Sequence, residues 1–136
     1  MKKYLLFFVI IPLLFFACGN SQEKKCKQTT NDIISLARAL GAYRVDNGAY
    51  PIGDTNDMLN CISIAHLENP PRTDAWGNQW IYIIGEDQKY TIKSYGRDGK
   101  PGPSGPRFKE IIHPNDPFRF DYDIIIIDGQ FFGECR

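Results

Sequence analysis

Asn31-Asp32-Ile33-Ile34-Ser35-Leu36-Ala37-Arg38-Ala39-Leu40-Gly41-Ala42-Tyr43-Arg44-Val45 decides the first half of the fold. Its apolar residues at 33, 36, 37, 40 and 43 keep the three-and-four spacing that lines one face of an α-helix, with Arg38, Arg44 and Asp46 on other faces. Asn31 or Asp32 can cap the start, and a start as early as Glu23 is equally compatible. Asn47-Gly48 supplies the left-handed residue that ends a helix, and Tyr50-Pro51 is then extended. From Asp54 to Ile64 a second, short helix is expected, with Thr55 or Asn56 as cap and Met58, Leu59, Cys61 and Ile62 on its apolar side.

The periodicity changes after Asn69-Pro70-Pro71. Trp80, Tyr82 and Ile84 alternate with Ile81 and Ile83, a period of two that defines a strand. Gly85-Glu86-Asp87-Gln88 turns, and Tyr90 to Tyr95 returns as the second strand of a β-hairpin. Residues 96–106 hold seven Gly or Pro in eleven positions and cannot form regular structure. Phe120 to Ile127 ends in Ile124-Ile125-Ile126-Ile127, a run suited to a buried third strand; Asp128-Gly129 then turns, and Phe131-Phe132 can pack back. Long helix, short helix and antiparallel meander together predict an α+β domain with three strands.

The chain has 136 residues, enough for one domain. Sixteen basic groups balance sixteen acidic ones, and no basic stripe appears, so nucleic acid is not an expected partner. Part of the 43% hydrophobic fraction lies at the amino terminus. There Lys2 and Lys3 precede an apolar run from Tyr4 to Phe16, too short for a bilayer span of about 20 residues but of signal-peptide length. Ala17-Cys18-Gly19 and a polar stretch follow. The arrangement resembles a bacterial lipoprotein signal, which implies residues 1–17 as signal peptide, diacylglycerol on Cys18, and residues 18–27 as a hydrophilic tether before a globular domain at 28–136. An ordinary signal peptide that happens to end near a Cys is the alternative. Lipidation would make the membrane a partner through the anchor and place the protein in the cell envelope, on the periplasmic face of a membrane or at the cell surface.

Cys18, Cys26, Cys61 and Cys135 are the four cysteines. With Cys18 lipidated, three remain in an exported, disulfide-permissive compartment, enough for one bridge and one free thiol. Sequence does not fix connectivity; Cys26–Cys135 is the pairing expected if a helix start and a chain terminus meet at one end of the domain. No Cys/His cluster has zinc or haem spacing. His66 and His113 accompany no activated Ser or Cys motif, so no catalytic residue is assigned. The carboxylates carry more information. Asp98 lies in the Gly-rich loop, where backbone carbonyls are free, and Asp121 and Asp123 precede the isoleucine run. Calcium takes six to eight oxygens from such groups.

Three stretches together resemble the G-type major pseudopilins of bacterial type II secretion systems. Tyr43-Arg44-Val45-Asp46-Asn47-Gly48-Ala49-Tyr50-Pro51 is similar to that family's helix end. Asp74-Ala75-Trp76-Gly77-Asn78-Gln79-Trp80 resembles its Asp-Pro-Trp-Gly-Asn-Pro-Tyr turn, with Ala75 and Gln79 in place of the prolines. Ser94-Tyr95-Gly96-Arg97-Asp98-Gly99-Lys100, continuing through Gly102 and Gly105, resembles its Gly-rich loop. The resemblance implies a pilin-like fold and a calcium site. In it, Asp98 and Asp123 would be the carboxylate ligands, Asp123 by virtue of preceding Ile124, although it stands 18 residues beyond Gly105 where the family keeps the gap short. It also implies partners among secretion-system or pilus-like proteins. The family's prepilin cleavage Gly and its helical Glu have no counterpart here. Two classes of function are thus open: a non-enzymatic, lipid-anchored interaction protein for secretion or pilus-like assembly, and a small exported ligand-binding or hydrolytic lipoprotein. A concave pocket with convergent polar groups would mark the second.

Overall fold

The apolar stripe of the first helix faces a sheet built from the hairpin and the isoleucine run. In the computed structural model, which describes residues 17–102 and 119–133, helix α1 spans Ala17–Asn47 and α2 spans Thr55–Ser63. Strands β1 (Ile81–Ile84), β2 (Tyr90–Ser94), β3 (Ile124–Ile127) and β4 (Gln130–Gly133) form one antiparallel sheet in that order. The α+β, pilin-like architecture is therefore as expected, with one strand more than the three predicted. Asp128 and Gly129 both adopt positive φ, 46° and 84°, the backbone of a tight hairpin turn whose twist matches the flanking strands. That turn folds residues 130–133 onto β3 as a fourth strand rather than leaving Phe131-Phe132 as loose packing.

Helix α1 begins before either predicted start. It runs through residues 18–27, the segment expected to serve as a tether. Gln, Glu and Lys in that segment are good helix formers, and Lys27 and Glu23 pair at 3.1 Å one turn apart. Its buried stripe is Cys26, Thr29, Ile33, Leu36 and Leu40, a continuous three-and-four spacing that extends the predicted face by two turns toward the amino terminus. Gly48 ends the helix with φ of 79° and donates its N–H to the Arg44 carbonyl at 2.8 Å.

Helix α2 is capped by Asp54, not by Thr55 or Asn56. Asp54 Oδ1 accepts from the Asn56 and Asp57 amides at 2.7 and 3.0 Å, and Asp57 Oδ2 accepts from the Asp54 amide at 3.0 Å, a reciprocal capping box. Thr55 instead bridges two elements. Its hydroxyl donates to the Trp80 carbonyl at 2.8 Å and accepts from the Tyr82 amide, tying α2 to the start of β1.

Pairing across the sheet aligns Tyr82, Ile92 and Ile126 on the inner face. Trp80, Tyr90, Ile92, Ile124 and Ile126 meet Ile33, Leu36 and Leu40 of α1 and Met58, Leu59 and Ile62 of α2 in the core. Each such side chain contributes about 1.5–3 kcal/mol by leaving water. The polar tips of the large aromatics are satisfied: Trp80 Nε1 donates to the Pro71 carbonyl at 2.9 Å and Tyr82 Oη to the Pro51 carbonyl at 2.8 Å. Among the described residues no helix is long and apolar enough to cross a membrane; the Tyr4–Phe16 run lies outside them.

Candidate functional site

Two of the three stretches singled out in the sequence, Asp74–Trp80 and Ser94–Lys100, converge at one end of the sheet, around the buried carboxylate of Asp74; the third, Tyr43–Pro51, lies at the other end, where Tyr50 bonds Asp128. Asp74 Oδ1 accepts from the backbone amides of Trp76 and Asn78 at 3.0 and 2.9 Å, and Oδ2 accepts from Ser94 Oγ at 2.6 Å. Asp74 also pairs with Asn78 through the backbone, at 2.8 Å. An ionised carboxylate has only acceptors to offer, and here its neighbours are donors. The result is a rigid turn over residues 74–78, with Gly77 at φ of 90°.

That turn is fixed on two sides. Toward α1, Thr29 Oγ1 accepts from the Ala75 amide at 3.1 Å, and Trp76 Nε1 donates to Gln22 Oε1 at 2.8 Å. Toward the Gly-rich loop, Asn78 Nδ2 donates to the Gly96 carbonyl at 2.8 Å, and the Gly96 amide donates to Ser94 Oγ at 3.1 Å. The loop passes so close to the segment before β3 that a Cβ on Gly96 would lie 2.6 Å from the Phe120 carbonyl oxygen and 2.7 Å from that of Tyr122. Arg97 then clamps the crossing. Its guanidinium makes two charge-assisted bonds to Asp121, at 2.7 and 2.8 Å, and its amide donates to the Phe120 carbonyl.

Beyond the clamp lie the two predicted calcium carboxylates, Asp98 and Asp123. Asp98 is exposed at the loop tip and accepts the Lys100 amide at 3.0 Å. Asp123 is largely buried, with 12% of its side-chain surface exposed. It accepts the Gly102 amide at 2.9 Å, and the Lys93 ammonium stands 4.0 Å from its Oδ2. Burial pushes the Asp123 carboxyl above its ordinary value, and the nearby charge of Asp98 pushes the same way, against the pull of the Gly102 amide and Lys93. Despite the 18-residue separation of Gly105 from Asp123, the charge of Asp98 still acts on the Asp123 carboxyl.

This donor set fits a hard cation of the calcium kind. It offers two carboxylates and a loop rich in backbone oxygens, and Asp123 is an anion whose burial a cation would offset. No group of three or more His, Cys, Asp or Glu side chains stands together among the described residues, so backbone oxygens would have to complete the shell.

The remaining candidates lie elsewhere. His66 packs edge-on against Tyr43 and stands 3.7 Å from Asp46; His113 lies outside the described residues. Cys61 is a free thiol, whereas Cys26, buried in the α1 stripe, is not. Cys18 lies on the first turn of α1, and Cys135 is outside the described residues. Two contributions escape a reading of the sequence. Lys93 carries no motif, although period-two alternation puts it on the same outer face of the sheet as Asp123. Asp74 opens a recognisable turn, but nothing in the turn's composition shows that its carboxylate is an internal acceptor.

A long helix laid on an antiparallel sheet whose Gly-rich loop is anchored to an Asp-capped turn defines the pilin-like head domains. The chain belongs to the type II secretion system (T2SS), protein G family, whose model matches residues 17–112. It is 29% identical over 108 residues to the type II secretion system core protein G of Vibrio cholerae, covering 71% of each chain. The Escherichia coli K12 protein of the same name is 28% identical over 109 residues, covering 69% of this chain and 71% of that one. The Pseudomonas aeruginosa protein is 31% identical over 96 residues, covering 60% and 66%.

Proposed function

We propose that the protein is a non-enzymatic, lipid-anchored component of the cell envelope whose pseudopilin-like domain binds calcium and takes part in protein secretion or pilus-like assembly. The observation that carries the reading is the family match, which runs from the first turn of α1 through the whole Gly-rich loop. The test is a pull-down from detergent-solubilised envelopes. Recovery of type II secretion or pilus-like components supports the reading, and their absence after in-cell cross-linking refutes it.

The anchor is diacylglycerol on Cys18, on the periplasmic face of a membrane or at the cell surface. Because Cys18 itself lies within α1, the anchor leaves little slack. Gln22, already bonded to Trp76, is four residues along the helix from Cys18, about 6 Å at the helical rise. The domain would therefore sit against the membrane rather than on a flexible lead. Metabolic labelling with a fatty-acid analogue should mark the wild type and spare Cys18→Ala; labelling that persists in the variant removes the anchor from the proposal.

Calcium is held by Asp98 and Asp123, with carbonyls of the 96–102 loop supplying further oxygens. Its charge offsets the two like-charged carboxylates and ties the loop to the sheet. Cys26 pairs with Cys135. Cys61 is free, and Cys18 is eight residues from Cys26 on the same helix, about 12 Å, beyond the reach of a disulfide. Closing a loop of roughly 100 residues stabilises by up to about 4–5 kcal/mol, chiefly by restricting the unfolded chain. Peptide mapping of the unreduced protein identifies the pairing, and an alkylatable Cys26 would overturn it.

A further inference from the structure

Lys93 and Asp123 sit on neighbouring strands. In the β2–β3 register Lys93 faces Ile125 and Ser94 faces Ile124. Ile124 and Ser94 point into the core, so Lys93 and the residue just before β3 share the outer face, in the diagonal relation through which long side chains meet across a sheet. The Lys93 side chain is 25% exposed; it extends over the Tyr95 ring, 5.7 Å from its centroid, to bring its ammonium 4.0 Å from Asp123 Oδ2. The other groups facing Asp123 are the Gly102 amide, at 2.9 Å, and the like charge of Asp98. Lys93 is thus the cation that the fold itself supplies to a largely buried carboxylate.

The geometry points to Lys93 as a resident counterion that competes with calcium for Asp123 and sets the affinity of the site. The inference rests on the calcium reading proposed above. With calcium absent, the ammonium partly neutralises Asp123, and the loop stays anchored through the Gly102 amide. With calcium present, the ion must displace the ammonium from Asp123 or bind beside a like charge. Either event weakens binding, so the chain keeps its loop in place at calcium levels too low to fill the site.

The test is calorimetric titration of the detergent-solubilised full chain with calcium chloride, for the wild type, Lys93→Met, Lys93→Gln and Lys93→Arg. Met and Gln keep the length of the side chain and remove its charge; Arg keeps the charge. The Met and Gln variants should bind calcium about tenfold more tightly, the effect of one unit charge near 4 Å attenuated by solvent, while the Arg variant should match the wild type. In chelator the order of stability reverses, and Met and Gln should melt below the wild type because Asp123 has lost its only nearby cation among the described residues. In an Asp123→Asn background both effects of Lys93→Met should vanish. Calcium binding by the wild type with unchanged affinity in Met and Gln overturns the inference and leaves the calcium reading standing. No calcium heat in any of the four proteins overturns both.

Discussion

Ser94 Oγ lies 2.6 Å from Asp74 Oδ2, a hydrogen bond between two buried residues twenty positions apart. It joins the turn that reads as Asp-Ala-Trp-Gly-Asn to the last residue of β2, and the same hydroxyl accepts the Gly96 amide that opens the Gly-rich loop. Asp74→Ala deletes the acceptor while the donors stay buried, and desolvated, unpaired donors cost more than the bond itself was worth. The expected loss is about 3–5 kcal/mol in denaturant unfolding, against about 1–2 kcal/mol for Ser94→Ala. A loss for Asp74→Ala no greater than that of Ser94→Ala would show that the turn does not depend on its carboxylate.

Two glycines with nearly the same backbone angle should differ in tolerance. Gly48, with φ of 79°, has nothing within 4 Å of where a Cβ would stand, and Gly48→Ala should cost only the left-handed penalty of about 1–2 kcal/mol. Gly96, with φ of 70°, would place its Cβ against the carbonyls of Phe120 and Tyr122. Gly96→Ala adds a backbone clash to the same penalty and should be at least twice as destabilising, about 3 kcal/mol or more. Equal melting temperatures for the two variants would contradict the close crossing of loop and strand.

At the other end of the molecule, Tyr50 Oη donates to Asp128 Oδ1 at 2.7 Å and accepts from Arg44 at 3.2 Å, linking α1 to the β3–β4 turn. Tyr50→Phe should cost about 1.5–3 kcal/mol, the usual loss for a hydrogen bond to a charged group. Unfolding curves of Tyr50→Phe and Asp128→Asn, singly and combined, would show whether the bond contributes.

Alkali should unfold the domain. Burial raises the phenols of Tyr50, Tyr82 and Tyr90, the last to about 12, from an ordinary value of 10.0. Folded-state values above unfolded ones mean that the stabilisation is complete below pH 10.0 and is lost as pH rises toward 12. Phenolate absorbance should therefore appear together with loss of helical signal in one cooperative step. Tyrosine titration near the ordinary value with the helix intact would refute this.

Calcium removal should lower the melting temperature. A ligand at a hundredfold excess over its Kd adds about 2.7 kcal/mol, several degrees for a domain of this size. Asp98→Ala should abolish the response, and magnesium should substitute poorly in a shell completed by irregular carbonyls. The raised carboxyl of Asp123 sets the pH dependence. A folded-state value above the unfolded one makes the protonated form the favoured one, so in chelator stability should fall as pH rises through and above the carboxylate range. Calcium should lessen that fall, and so should Asp123→Asn, the raised carboxyl of Asp32 contributing the remainder. Melting curves across pH with and without calcium decide it; a flat profile in chelator would count against the burial of an ionised Asp123.

Elements whose information is local are legible in the order of residues alone. The three-and-four spacing of Ile33, Leu36 and Leu40 can bury one face only as a helix, and the alternation of Trp80, Tyr82 and Ile84 only as a strand. A loop with seven Gly or Pro in eleven residues can be neither. Features that depend on a partner far along the chain are settled only by folding. Gln130–Gly133 has no periodicity of its own and is a strand because the Asp128-Gly129 turn lays it on β3. Residues 18–27 are helical because Cys26 finds the core and Gln22 finds Trp76, 54 positions away. The convergence of Asp74, Asn78, Ser94 and Gly96, and the approach of Lys93 to Asp123, are likewise properties of strand register. Hydrogen bonds and charge pairs act over a few ångströms in space, and only the folded chain sets those distances.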